Sequence, residues 1–240
     1  MPRLKREANF SFMLIGLLIM LVVGPITLEL NNILAAGDNI VGPDGSKFDS
    51  GLVIQTIFVA TMVISIWSVV ESPLWTAVGI ALAAITFISS LSGWLDTGIF
   101  WLELIGLTAM FLFCVLNLAF TMGHLFDRPT VINTNRLIGA ISVYLLLGIG
   151  FGVLNMAIEM LLPGSFRGAD LDGDGSSGID LIYFSFVTMT TLGYGDVTPI
   201  RPVAQAFSYI GAVAGQFYIA VLVAGIVGAY INANIHKKDD

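Results

Sequence analysis

The run Thr190-Thr191-Leu192-Gly193-Tyr194-Gly195-Asp196 places hydroxyls, two alternating glycines and a terminal acid within one short stretch. Glycine reaches positive φ cheaply, so Gly193 and Gly195 can let successive carbonyl groups face one side while Leu192 and Tyr194 point away. The chemistry this suits is coordination rather than bond-making. A ladder of neutral oxygens, joined by the Thr191 hydroxyl, can replace the water shell of a monovalent cation without a full charge that would trap it. Taken alone, Gly-Tyr-Gly-Asp also fits an ordinary turn, and what surrounds it separates the two readings.

The apolar stretch 179–190 before the run is too short to cross a membrane and leads at once into a Gly-containing polar loop, as in a re-entrant half-helix. Ser177 and Asp180 have the spacing of a capping box, which predicts a helix beginning near Gly178 and ending near Thr190. Its carboxyl end offers partial negative charge to a cation.

The elements that must position this loop are apolar. The chain of 240 residues is 56% hydrophobic, only 11% charged, and carries a formal net charge of −7, with a mean hydropathy of +0.90. Soluble domains carry roughly 25% charged residues, so an all-α protein of the lipid bilayer is expected. Nucleic-acid binding is not. Six spans are predicted, at 10–29, 52–70, 73–93, 99–122, 137–161 and 203–231, each near the roughly 20 apolar residues a membrane helix needs. Placing the amino terminus inside puts Arg3, Lys5, Arg6, Arg128, Arg136, Lys237 and Lys238 on the inner side, against Lys47, Arg167 and Arg201 outside. Cytoplasmic flanks are enriched in Lys and Arg, so both termini are expected to be cytoplasmic. The first span could instead be a cleaved leader, with Leu34-Ala35-Ala36 as its small-residue site, but its apolar stretch is longer than a leader core. Cys114 is the lone cysteine, so no intrachain disulfide can form.

Thr-Leu-Gly-Tyr-Gly-Asp resembles the potassium channel signature. The resemblance covers the stretch 137–231, a two-span pore unit around the loop, and implies that K+ binds at Thr191, Leu192, Gly193 and Tyr194 through their carbonyls, with Gly195 completing the filter. Leu192 stands where valine is usual, a conservative change because that residue contributes its carbonyl. Thr188 and Thr190 match the threonines at the preceding helix end. Asp196 matches the acid that braces the filter, and Val187 stands where some members place a glutamate that pairs with it. Gly215 matches a gating-hinge glycine; close helix packing is the other reading for it, as for Gly211, Gly225 and Gly228. The stretch 215–225 resembles inner helices of bacterial members, which points to the plasma membrane of a prokaryote, its inner membrane. One filter per chain implies a homotetramer, although a heteromer also fits.

Residues 1–122 form a four-span region of unassigned role, 123–136 a cytoplasmic linker and 232–240 a short tail. Four spans before a pore unit suggest voltage sensing, which needs arginines in the field worth about 2.3 kcal/mol each per 100 mV. The fourth span has no Lys or Arg. Glu103 lies about one turn inside that span and reads either as interfacial or as a proton sensor. The loop 170–180 opens like a calcium-binding loop, with Asp170, Asp172 and Asp174 as candidate Ca2+ ligands, but Leu181 stands where a closing glutamate belongs. The other reading is an acidic turret that concentrates cations. No acid–base pair, activated nucleophile or phosphate-binding loop is present, so no enzyme is expected. The function implied is passive K+ conduction, with a K+ transporter subunit or a non-conducting regulatory subunit as alternatives. Any cytosolic regulator is expected to be a separate chain.

Overall fold

The computed structural model describes residues 10–36, 56, 59–61, 63–64, 66, 72–94, 99–126, 134–169 and 176–236. Six helices carry most of them: α1 (Phe10–Ala36), α2 (Pro73–Trp94), α3 (Phe100–Phe126), α4 (Thr134–Leu161), α5 (Ser176–Met189) and α6 (Pro202–His236). All but α5 are long and apolar enough to cross a membrane. At about 1.5 Å per residue, α5 reaches only about 21 Å, short of the roughly 30 Å hydrocarbon core. This is an all-α membrane protein with several apolar helices. The expected second span, 52–70, lies largely outside the described residues, and those described within it are helical.

The helices overrun their expected ends: α1 continues to Ala36 and α6 to His236. Hydropathy marks where the membrane stops, whereas a helix continues until a residue or a cap breaks it. Pro25 lies inside α1 without ending it. Next to it, the Thr27 hydroxyl donates to the carbonyls of Val23 (2.9 Å) and Gly24 (2.8 Å), which engages backbone oxygens in the turn where proline removes a donor.

Helix α4 is the hub. α3 packs on it from one side, with α2 behind α3, while α1, α5 and α6 also lie against it. The larger apolar cluster joins Met13 and Leu17 of α1, Phe113 and Cys114 of α3, and Ile149 and Val153 of α4. A smaller one, with Ile158, Leu181, Phe184 and Val197, sits where α4, α5 and the loop after Asp196 meet. Large apolar side chains such as Phe12, Ile15, Val22, Leu74 and Ile80 face outward, the pattern of a bundle whose solvent is lipid.

The seat of α5 on α4 depends on two glycines one helical turn apart. A Cβ at Gly152 would stand 2.9 Å from the Ile182 Cα, and one at Gly148 would enter the Phe186 ring. Small residues at this spacing let membrane helices approach backbone to backbone. Ser185 closes the contact by donating to the Gly148 carbonyl at 2.7 Å. Gly152→Leu is expected to force α5 off this seat at a cost of about 1–3 kcal/mol or more, read as a lowered thermal midpoint of the detergent-solubilised protein; an unchanged midpoint would disprove the close approach.

Candidate pore loop and filter

Helix α5 begins at Ser176, two residues before the start expected near Gly178. The carboxyl end is more informative. The Thr191 amide bonds the Thr188 carbonyl (3.1 Å) and the Leu192 amide bonds the Val187 carbonyl (2.9 Å), with Gly193 N also on Val187 O at 3.3 Å. These are the two bonds of a Schellman motif, and Thr191, at φ 60°, fills its left-handed position. Glycine is the usual residue there. A β-branched residue in that region is an outlier that surroundings must hold in place.

The chain then alternates. Thr191 (60°), Gly193 (59°) and Gly195 (80°) have positive φ, whereas Leu192 and Tyr194 do not. In an ordinary strand successive carbonyls point opposite ways; alternating left- and right-handed residues turn successive peptide groups the same way. Residues 191–195 thus carry the alternation in the sign of φ that a one-sided row of oxygens calls for. No atom lies within 4 Å of a Cβ built on Gly193 or Gly195, so φ rather than crowding is what calls for glycine at both.

Asp196 is braced from two sides. Its Oδ2 accepts the Tyr183 hydroxyl at 2.6 Å and its Oδ1 accepts the Val197 amide at 3.0 Å. Tyr183 is on α5, one turn before Val187, where the sequence offered no partner; the hydroxyl was overlooked because it sits in an apolar run. Hydrogen bonding from Tyr183, aided by the Val197 amide and opposed by desolvation, holds the Asp196 carboxyl below its ordinary value. The same bond, with lesser desolvation and charge effects, pushes Tyr183 up to about 12. Thr190 caps α5 locally, its hydroxyl donating to Phe186 O at 2.7 Å.

Two other groups hold the loop from outside, and sequence reasoning missed one of them. The Glu159 carboxylate, 9% exposed, accepts three backbone amides, Gly164 (2.6 Å), Ser165 (2.8 Å) and Phe166 (3.0 Å). This clamp fixes strand β1 (Phe166–Arg167), which pairs antiparallel with β2 (Thr198–Pro199) just beyond Asp196. Ile200 N adds a 2.7 Å bond to Ser165 O. Gly168, at φ 86°, must be glycine twice over, because any Cβ would run into the Asp196 carbonyl. The second group is Gly215 on α6. A Cβ there would stand 2.8 Å from Met189 O, and the neighbouring Gln216 donates its Nε2 to the same oxygen at 3.0 Å. Helix α6 runs unbroken through Gly215, so in this structure the glycine is where α6 abuts the end of α5. Asp170, Asp172 and Asp174 lie outside the described residues.

Three outcomes follow from these contacts. Glu159→Ala strips the acceptor from three amides and is expected to destabilise the fold by on the order of 3 kcal/mol, since bonds to charged groups are worth about 1.5–3 kcal/mol each; chemical denaturation in detergent measures it. Gly215→Ala is expected to lower the thermal midpoint more than Gly225→Ala, where the built Cβ meets nothing within 4 Å. For the Tyr183–Asp196 bond the pH window is set by both partners. Asp196 is depressed, so its contribution is present above the unfolded value near 4 and is lost as pH falls through the folded value. Tyr183 is raised, so its contribution is full below about 10 and lost as pH rises through about 12. The stability difference between the wild type and Tyr183→Phe is therefore expected to be flat from about pH 5 to 9; a steep change inside that window counts against the assignment.

Comparison with known proteins follows the same residues. The family model described as "Ion channel" matches residues 140–232. Two pore potassium channel c of Oryza sativa subsp. japonica is 35% identical over 75 residues, 31% of this chain and 16% of that protein. Two-pore potassium channel 3 of Arabidopsis thaliana is 43% identical over 49 residues, 20% of this chain and 11% of that protein. Potassium channel K1 of Plasmodium berghei (strain Anka) is 32% identical over 76 residues, 27% of this chain and 4% of that protein. The match thus spans less than a fifth of each of these relatives. No solved structure matches the chain. Over the segment that includes most of α4, with α5, the run 190–196 and α6, the chain is similar to the ion channel family model, and it shares local identity with potassium channels.

Proposed function

We propose that this chain is one subunit of a potassium-selective channel that conducts K+ passively. Four copies surround one axis, and the carbonyls of Thr191, Leu192, Gly193 and Tyr194, with the Thr191 hydroxyl, replace the water shell of the ion. The observation that carries this reading is the alternation of positive φ at Thr191, Gly193 and Gly195, directly after the Schellman end of a helix too short to span the bilayer. The two-pore and potassium channel names of the relatives point the same way.

Homotetrameric assembly is supported by what one subunit leaves bare. Leu192 is 55% exposed and Tyr194 66% exposed, and Tyr209, Val213, Phe217 and Val221 are exposed along α6. Apolar groups beside a polar path call for cover by further copies. Helix α3 has no Lys or Arg between Phe100 and Phe126, which supports gating by something other than an arginine-rich voltage sensor. In this reading 137–231 is the pore domain, both termini are cytoplasmic in the plasma membrane, and Asp170, Asp172 and Asp174 form an acidic outer turret, with Ca2+ as its alternative ligand. Gly215 is the point at which α6 bends on gating.

Purified protein recorded in planar bilayers under opposed K+ and Na+ gradients is expected to reverse near the K+ equilibrium potential without added ATP. Gly193→Ala puts a side chain where φ is positive, at roughly 1–2 kcal/mol per subunit, and is expected to abolish selective current while tetramers still form. A reversal potential indifferent to K+, or an alanine variant with unaltered current, refutes the filter.

A further inference from the structure

Between α4, α5 and α6 lies a small cavity that ion coordination does not use. It is lined by Phe151 and Asn155 of α4, Ser185 and Thr188 of α5, and Phe207 and Ser208 of α6 among others, and leaves about 10 Å³ open to the centre of a water-sized sphere. That is the scale of a single-water site. Asn155 is only 3% exposed, and its Oδ1 has no hydrogen-bond partner among the described residues. Buried amide oxygens in native proteins are almost always paired, with protein or with ordered water.

The donors and acceptors around the cavity narrow what could fill it. Ser185 Oγ gives its proton to Gly148 O (2.7 Å) and Ser208 Oγ gives its proton to Ala204 O (2.7 Å), so both hydroxyls have only lone pairs left to offer. Asn155 Oδ1 likewise can only accept. Among the described residues no charged side chain lines the cavity, so a small ion would be neither neutralised nor fully coordinated. An apolar occupant would leave the amide oxygen unpaired. A neutral molecule with two protons to give fits all of these surfaces.

We propose that this cavity is a binding site for one ordered water molecule. It donates one proton to Asn155 Oδ1 and the other to the Ser185 or Ser208 hydroxyl oxygen, joining the helix before the pore loop, the pore-loop helix and the helix after it. The site adjoins Thr188, whose carbonyl holds the Thr191 amide, so the bound water stands behind the turn from which the filter run starts.

A structure of the full chain in lipid nanodiscs, at a resolution that shows ordered water, tests the site directly. The expected result is one peak within hydrogen-bonding distance of Asn155 Oδ1 and of one serine hydroxyl, lost in Asn155→Leu. A dry cavity, an acyl chain in it, or a donor from a neighbouring copy on Oδ1 overturns the proposal. Thermal denaturation gives a second readout. Leucine keeps the branched heavy-atom skeleton of asparagine, with somewhat more bulk, but removes the acceptor, so a hydrated site predicts a midpoint that does not rise. A dry, unpaired amide predicts a rise of several degrees on its removal, and such a rise also counts against the water. Neither measurement passes current, so the outcome is independent of whether the pore proves selective for K+.

Discussion

At the carboxyl end of α5 the chain must stop being helical and pair the carbonyls that a helix end leaves without intrahelical partners. The structure meets this requirement with the residues that follow the helix. Val187 O receives the amides of both Leu192 and Gly193, and Thr188 O receives that of Thr191. Those bonds can form only if residue 191 turns left-handed. The first residue of the run is thus conformationally committed by the end of the helix before it, and the alternation that follows at Gly193 and Gly195 continues from that starting point.

A threonine in that position is costly on its own, at roughly 1–2 kcal/mol relative to the right-handed region. Strain of this kind persists only where neighbours over-determine the geometry. Here they do so from three directions. Tyr183 and Val197 hold Asp196 at the carboxyl end of the run. The Glu159 clamp and the β1–β2 pair fix the backbone beyond it. Gly215 and Gln216 bear on Met189 just before the amino end of the run. Replacing Thr191 by glycine would relieve that strain.

How much of this could be read beforehand depended on whether the cause was local. Glycines at alternate positions after a short apolar helix state a backbone requirement in residue types alone, so the positive φ at Gly193 and Gly195 was legible. So were the long helices, because lipid imposes composition on every exposed face. Their ends were not, since α1 and α6 continue past the point where hydropathy falls and nothing in the side chains marks the stop. Glu159 left no pattern because its partners are backbone amides, which every residue but proline possesses. Tyr183 was missed for a related reason: its pairing with Asp196 depends on how a face of α5 meets the chain that returns past it, a tertiary register that spacing does not encode. Gly215 showed as a glycine of note, but only the approach of Met189 O to 2.8 Å of its built Cβ reveals what it accommodates.

The same contacts indicate how the first helices stand in relation to the pore segment. Asn135 Oδ1, in the first turn of α4, accepts the amide of Phe10 at the start of α1 (3.1 Å), and the Phe10 ring fills the space over Gly139. One residue on, Ala140 O accepts the Tyr218 hydroxyl of α6 at 2.6 Å, and Tyr218 stacks on Tyr144. The amino-terminal helix and the lower part of α6 therefore meet neighbouring residues of α4. At its upper part α6 holds Met189, the last residue of α5. A displacement of α6 large enough to change its lower contacts must either break the Tyr218 bond or carry α4 with it, and α4 is held by α1 and α3. Contiguity of this kind is not by itself evidence of energetic coupling, which needs an element with two arrangements. Among these contacts, the meeting of α6 with Ala140 is the one whose making and breaking could provide them, because it rests on a single hydroxyl and one stacked ring rather than on interlocked glycines.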